Sequence, residues 1–135
     1  MKNIFLTSIM IFAASIASAS NFCNVKIEDS NQGKITRFNR ERLNSDIEIL
    51  AQILSQKGYQ IVSDFKDAAV KVEFEHGCDY ATERGCLVAD AIVKLTDLVA
   101  GDVVTYSEQD REGVFFMANS KTALRRAASL IQGCQ

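Results

Sequence analysis

Reactive side chains gather in one stretch of the chain, His76-Gly77-Cys78-Asp79-Tyr80-Ala81-Thr82-Glu83-Arg84-Gly85-Cys86. Zinc accepts mixed nitrogen, sulfur and oxygen donors, so His76, Cys78 and Cys86, with Asp79 or Glu83 as a fourth ligand, could hold one. The spacing matches none of the recurrent zinc signatures, and the seven residues between the thiols are not the Cys-x-x-Cys of a redox centre. The same residues also describe a glycine-flanked hairpin loop closed by a disulfide, with His76 ending a strand, which an oxidising compartment favours. No metal or other cofactor is expected.

Other chemistry is poorly provided for. Nucleophilic hydrolysis needs a serine or cysteine placed by a base, and His76 is the only histidine. Neither a Gly-x-Ser-x-Gly nor a phosphate loop is present. Glu73 and Glu75 could act as paired carboxylates, but they project from one face of one alternating segment and are more simply its wet side. The sequence points away from an enzyme.

Whether the cysteines pair depends on where the chain resides. Lys2, an apolar run from Ile4 to Ala14 and the small-x-small ending Ala17-Ser18-Ala19 have the three-part layout of a secretory signal peptide over residues 1–19. The stretch is too short and polar-dotted to span a bilayer, which takes ~20 apolar residues. A mature domain from Ser20 to Gln135 is then expected, periplasmic or secreted, with no lipid on Cys23 because bulky Phe22 precedes it. An even number of cysteines in an exported domain reads as disulfides. Cys78 and Cys86 flank one turn-like segment, while Cys23 and Cys134 lie at the two ends of the domain, so 78 with 86 and 23 with 134 are the expected pairs. On the loop model the short closure contributes ~2.6 kcal/mol and the long one ~4.8 kcal/mol.

Without Lys2 the domain carries 14 basic against 17 acidic side chains, a weakly acidic balance. The longest basic cluster is Arg125-Arg126, so nucleic acid is not an expected partner. No second apolar run reaches membrane-spanning length, and no transmembrane segment is expected in the mature chain.

Periodicity supplies the elements that must position these groups. Cys23, Val25 and Ile27 alternate with polar neighbours as in a half-buried strand. Leu43, Ile47, Leu50 and Leu54 recur at helical spacing before Gly58, predicting a helix from about Asn39 to Lys57. Strands follow at Tyr59 to Ser63, Val70 to His76, Leu87 to Thr96 and Val103 to Ser107. A last helix, capped by Asn119 or Ser120, carries a narrow stripe of Ala123, Leu124, Ala127, Ala128 and Ile131. The order β-α-β-β-β-β-α predicts an α+β two-layer sandwich, a mainly antiparallel sheet of four or five strands with two helices on one face. Pairing Cys78 directly with Cys86 would set Phe74 opposite Asp90. A register with Phe74 opposite Val93 and Glu73 opposite Lys94 suits cross-strand chemistry better, so the disulfide is expected to tie the connecting loop rather than sit within paired strands.

From Leu50 to Leu130 three segments carry a resemblance: Leu54 with Lys57-Gly58-Tyr59, then Asp67-Ala68-Ala69-Val70-Lys71-Val72-Glu73-Phe74, then Val93-Lys94-Leu95-Thr96-Asp97 with Gly101-Asp102-Val103-Val104. The pattern resembles small bacterial envelope domains of the type at the amino terminus of TolB and in the curli-transport and penicillin-binding-protein-activator lipoproteins. It implies an envelope α+β domain and transfers no functional residue.

Two places are candidates for partner contact. Tyr80, Glu83 and Arg84 lie on the cysteine-closed loop and are residue types that anchor interfaces. Phe115 and Phe116, within Val114-Phe115-Phe116-Met117, could make adaptable contacts, although a strand-to-helix junction is expected to bury such a run. The function expected is an exported periplasmic binding or assembly module without catalytic activity, with a protein partner in the cell envelope. The alternative is a secreted enzyme inhibitor presenting the Cys78 to Cys86 loop.

Overall fold

The computed structural model describes residues 22–29 and 37–134; residues 1–19, read as the leader, lie outside the described residues. The elements are β1 (Asn24–Asp29), α1 (Arg37–Gln56), β2 (Gln60–Ile61), β3 (Val70–Thr82), β4 (Gly85–Asp97), β5 (Val103–Arg111) and α2 (Ser120–Ser129), with a 3₁₀ turn at Phe65–Asp67. The fold is an α+β two-layer sandwich of one five-stranded sheet, ordered β2-β1-β3-β4-β5, with both helices over one face. The sheet is mixed. β1 runs parallel to β2 and β3, whereas β3, β4 and β5 form an antiparallel meander that supplies most of the ladder.

Alternation decides which face is covered. Val25 and Ile27 of β1, Val72 and Phe74 of β3 and Ala91 and Val93 of β4 are buried on one face. Leu50 and Leu54 of α1 and Leu124 of α2 fill the other side of that core. Side chains of α1 before Ser45, Leu43 among them, lie outside the described residues. Ala123, Ala127 and Ala128 are buried too, and their small size lets α2 lie close against the sheet. Each fully buried Leu or Ile stabilises the fold by roughly 1.5–3 kcal/mol relative to exposure.

The β3–β4 hairpin corrects one expectation. Phe74 does face Val93 and Glu73 does face Lys94, but the ladder continues past His76 to Thr82 opposite Gly85, leaving only Glu83 and Arg84 as the turn. The Cys78–Cys86 disulfide therefore lies within paired strands, not across a loop. Apolar alternation lapses at Gly77, yet backbone pairing requires no apolar side chain, so the strand outruns its sequence signature. Cys78 faces Ala89 while Cys86 faces Ala81, and the register shifts between them step over Asp79 on one strand and Leu87 on the other.

The opposite end of the domain is locked differently. Cys134 is bonded to Cys23, its amide donates to the Lys57 carbonyl at 2.8 Å, and the Lys57 ammonium donates to the Ser129 carbonyl at 3.0 Å. The Tyr59 hydroxyl donates to the Gln132 carbonyl, and burial, with Tyr106 nearby, raises this phenol above its ordinary pKa, keeping it a donor. Gly58 ends α1 at φ +91°, and a Cβ there would sit 2.9 Å from the Cys134 carbonyl oxygen. Gly58→Ala is therefore expected to cost at least about 1 kcal/mol in thermal or urea unfolding, from left-handed strain alone.

The β4–β5 turn has a pH signature. Asp97 accepts the Ala100 and Val99 amides at 2.9 and 2.8 Å, and these bonds hold its carboxyl below the ordinary carboxylate value, the Ala100 bond contributing most. The folded value is the lower one, so the stabilisation is complete above the ordinary value and disappears as pH falls through the folded one. The stability gap between wild type and Asp97→Ala, read as urea midpoints, should narrow steadily below about pH 4.

Candidate functional site at the hairpin end

The sheet brings the two sets of candidate contact residues to the same end. Beyond β5, residues 112–118 fold back along the start of β4. The Glu112 amide donates to the Leu87 carbonyl at 2.9 Å and the Ala118 amide to the Cys86 carbonyl at 3.0 Å. Within this segment the Gly113 amide donates to the Phe116 carbonyl at 2.9 Å, closing a tight loop. The Phe116 ring occupies the space a Cβ at Gly113 would need, 2.4 Å away, so glycine is what lets the ring lie there. The loop is therefore hydrogen-bonded to the disulfide-linked hairpin at both of its ends.

Burial of the apolar run was the expectation, and the structure overturns it. Val114 and Phe115 are 91% and 96% exposed, and Phe116 and Met117 are exposed as well. The core is already filled by α1 and by the alanine-rich face of α2, which begins only after Asn119, so the run has no interior to enter. Tyr80 is 58% exposed on the adjacent strand. Between hairpin tip and loop lies an open hollow of about 410 Å³ lined by Thr82, Glu83, Arg84, Leu87 and Glu112.

The metal reading of this segment does not survive the geometry. Cys78 and Cys86 spend their sulfurs on each other, and His76 turns away. Its Nε2 lies 2.6 Å from Asp46 Oδ2 on α1, with both side chains about nineteen-twentieths buried. Asp46 Oδ1 and His76 Nδ1 are enclosed without a hydrogen-bond partner among the described residues. A carboxylate on imidazole is half of a nucleophile-activating arrangement, but that role needs a hydroxyl or thiol at the other nitrogen. What the pair accomplishes is to tie α1 to β3.

Asp46 was not among the sequence candidates. It stands four residues before Leu50 and eight before Leu54, on the buried stripe of its helix, and His76 continues the inward parity of Val70, Val72 and Phe74. An acidic residue on an apolar stripe and a histidine on a core-facing strand position were the available signals.

A second buried carboxylate supports the site from below. Asp110 of β5 accepts the Asn119 amide at 2.8 Å and pairs with Arg126 at 3.0 Å, while the Asn119 side chain caps α2 by accepting the Lys121 amide. These bonds fix the return of the chain immediately after the exposed loop.

No protein-family model matches the chain, and no curated protein matches it. Solved PelC structures share its architecture. A PelC dodecamer from Paraburkholderia phytofirmans superposes with a TM-score of 0.51 at 15% identity, covering 84% of this chain and 91% of that one. A single-substitution variant of the same dodecamer gives 0.51 at 11% identity, over 78% and 81%. A PDZ domain protein from Parabacteroides distasonis gives 0.48 at 11% identity, over 78% of this chain and 30% of that one. The likeness to PelC is one of fold, and a fold by itself carries no function.

Proposed function

We propose that the chain is an exported envelope module, mature from Ser20, that acts by binding and assembly and catalyses nothing. The observation that carries this reading is the exposed run Val114 to Met117 held on a hydrogen-bonded, disulfide-linked end of the sheet. A contiguous apolar surface on a small exported domain marks a contact site, because leaving it in water is unfavourable. Two disulfides among the described residues fit an oxidising, extracytoplasmic compartment. No helix among the described residues is long and apolar enough to cross a membrane. The shared fold with PelC chains that form dodecamers makes self-association the form of assembly to test first.

Expression of the full chain, fractionation of the cell and light-scattering mass measurement on the exported product test the reading together. The expected result is recovery with the periplasmic or secreted fraction and a mass above one chain at high concentration. A cytoplasmic product, or an exported one that stays a single chain and is crosslinked to no envelope protein, would overturn it.

The hairpin also favours a second use, as a secreted inhibitor whose Tyr80, Glu83 and Arg84 enter an enzyme's cleft. Its cross-linked strands would lose little entropy on docking. Unchanged turnover of lytic enzymes at micromolar concentrations of the protein would rule this out.

A further inference from the structure

We infer that the hairpin end is a self-docking surface, in which two copies meet about a two-fold axis and each places Phe115 in the other's hollow. The inference rests on the assembly reading and names its surface and partner. Phe115 is 96% exposed, so it does not fill the hollow beside it in its own chain. That hollow, about 410 Å³ and lined by Thr82, Glu83, Arg84, Leu87 and Glu112, begins at the residue just before Gly113. Knob and socket thus share one end of one sheet. A surface that carries both is complementary to itself, and a self-complementary patch is what a two-fold interface requires.

Charge favours a second copy over other occupants. The end presents two arginines, Arg84 and Arg111, against three carboxylates, Asp79, Glu83 and Glu112, all exposed. Under a two-fold axis Arg84 of one copy can face Glu112 of the other, and the same contact recurs by symmetry. An anionic lipid surface or a nucleic acid would instead be held by an excess of positive charge, which this end lacks. The loop is also positioned in advance: its backbone bonds to Leu87 and Cys86 and its internal Gly113 to Phe116 bond exist in the single chain, so little order must be gained on contact.

Sedimentation velocity on the exported, oxidised protein from about 1 to 200 µM tests the inference against a range in which weak interfaces of this kind dissociate. Wild type is expected to shift from one chain to two. Phe115→Ser should weaken that association by about tenfold or more, as loss of a central aromatic anchor does. Arg84→Glu and Glu112→Arg should each weaken it, and the two together should recover much of the loss, since the pair is then reversed in both copies. All these positions are exposed, so urea midpoints should remain unchanged and serve as the folding control. Wild type that self-associates while all the variants do so equally would overturn this surface and leave the assembly reading standing. Wild type that stays a single chain throughout would remove self-association altogether. A single chain that floats with phosphatidylethanolamine–phosphatidylglycerol vesicles through Phe115 would assign the loop to lipid and overturn the inference.

Discussion

Replacing Cys23 and Cys134 together by alanine is expected to destabilise the domain by about 4.8 kcal/mol, the loop-entropy value for a closure of this length. The two cysteines are 111 positions apart, so their bond removes more freedom from the unfolded chain than any other link in the molecule. The folded side of the balance changes less, because the Cys134 amide keeps its bond to Lys57 and the Gln60 amide its bond to Cys23. Urea midpoints read the effect directly, and with slopes of ~1–3 kcal/mol/M the drop should be roughly 2 to 5 M. The matching removal of Cys78 and Cys86, which lie 8 apart, should cost ~2.6 kcal/mol. The order of the two costs is the discriminating result. If the hairpin bridge proves the more costly, constraint of the unfolded chain is not what these bonds chiefly supply, and the hairpin's register shifts must depend on their bond.

The second large effect belongs to the buried pair. Asp46→Ala is expected to cost about 1–3 kcal/mol, because His76 Nε2 would lose its hydrogen-bond partner at a site almost closed to water. Both side chains are about nineteen-twentieths buried, so solvent does little to screen the contact. Asp46→Leu combined with His76→Phe should recover much of that loss, since an enclosed polar pair exchanged for apolar groups of similar size is often neutral. Chemical denaturation of the single and double variants checks both statements. A single-variant cost below ~1 kcal/mol would show that water reaches the pair after all.

Legibility in the sequence followed physical type. Core strands were readable because alternation at Val70, Val72 and Phe74 encodes burial directly, and the Phe74 to Val93 register followed from keeping charged and apolar residues in matching rows. β2 is shorter than its sequence suggests, for Tyr59 to Ser63 has strand-like chemistry but only Gln60 and Ile61 find a ladder partner. The length of the hairpin is hidden in the sequence because Gly77 and Asp79 are poor strand formers that interrupt the alternation, while the strand continues through backbone pairing that steps over Asp79. At the candidate site, composition singled out Tyr80, Glu83, Arg84, Phe115 and Phe116 without showing that the two groups meet. Their placement at one end depends on residues 112–118 staying bonded to the start of β4 at Leu87 and Cys86, a long-range path that local pattern does not encode. Exposure of the phenylalanines is not legible either, because hydrophobicity records a residue's tendency to be buried and the core is already filled by α1 and α2.

The Cys23–Cys134 bond also sets how the domain would bear a pull. The α-carbons of Cys23 and Cys134 lie only 5.8 Å apart, and covalent sulfur joins them. Tension applied between the two ends would run through that bond and bypass the sheet, leaving every backbone ladder unloaded. Tension applied between that end and the Glu83–Arg84 turn would instead pull β1 one way and β3, thirteen residues and roughly 40 Å long, the other, shearing their parallel pairing lengthwise. The domain would thus resist extension when held on either side of the Cys23–Cys134 bond and bear load through its parallel ladder when held at the far turn, with the Cys78–Cys86 link joining the two strands at the point of attachment.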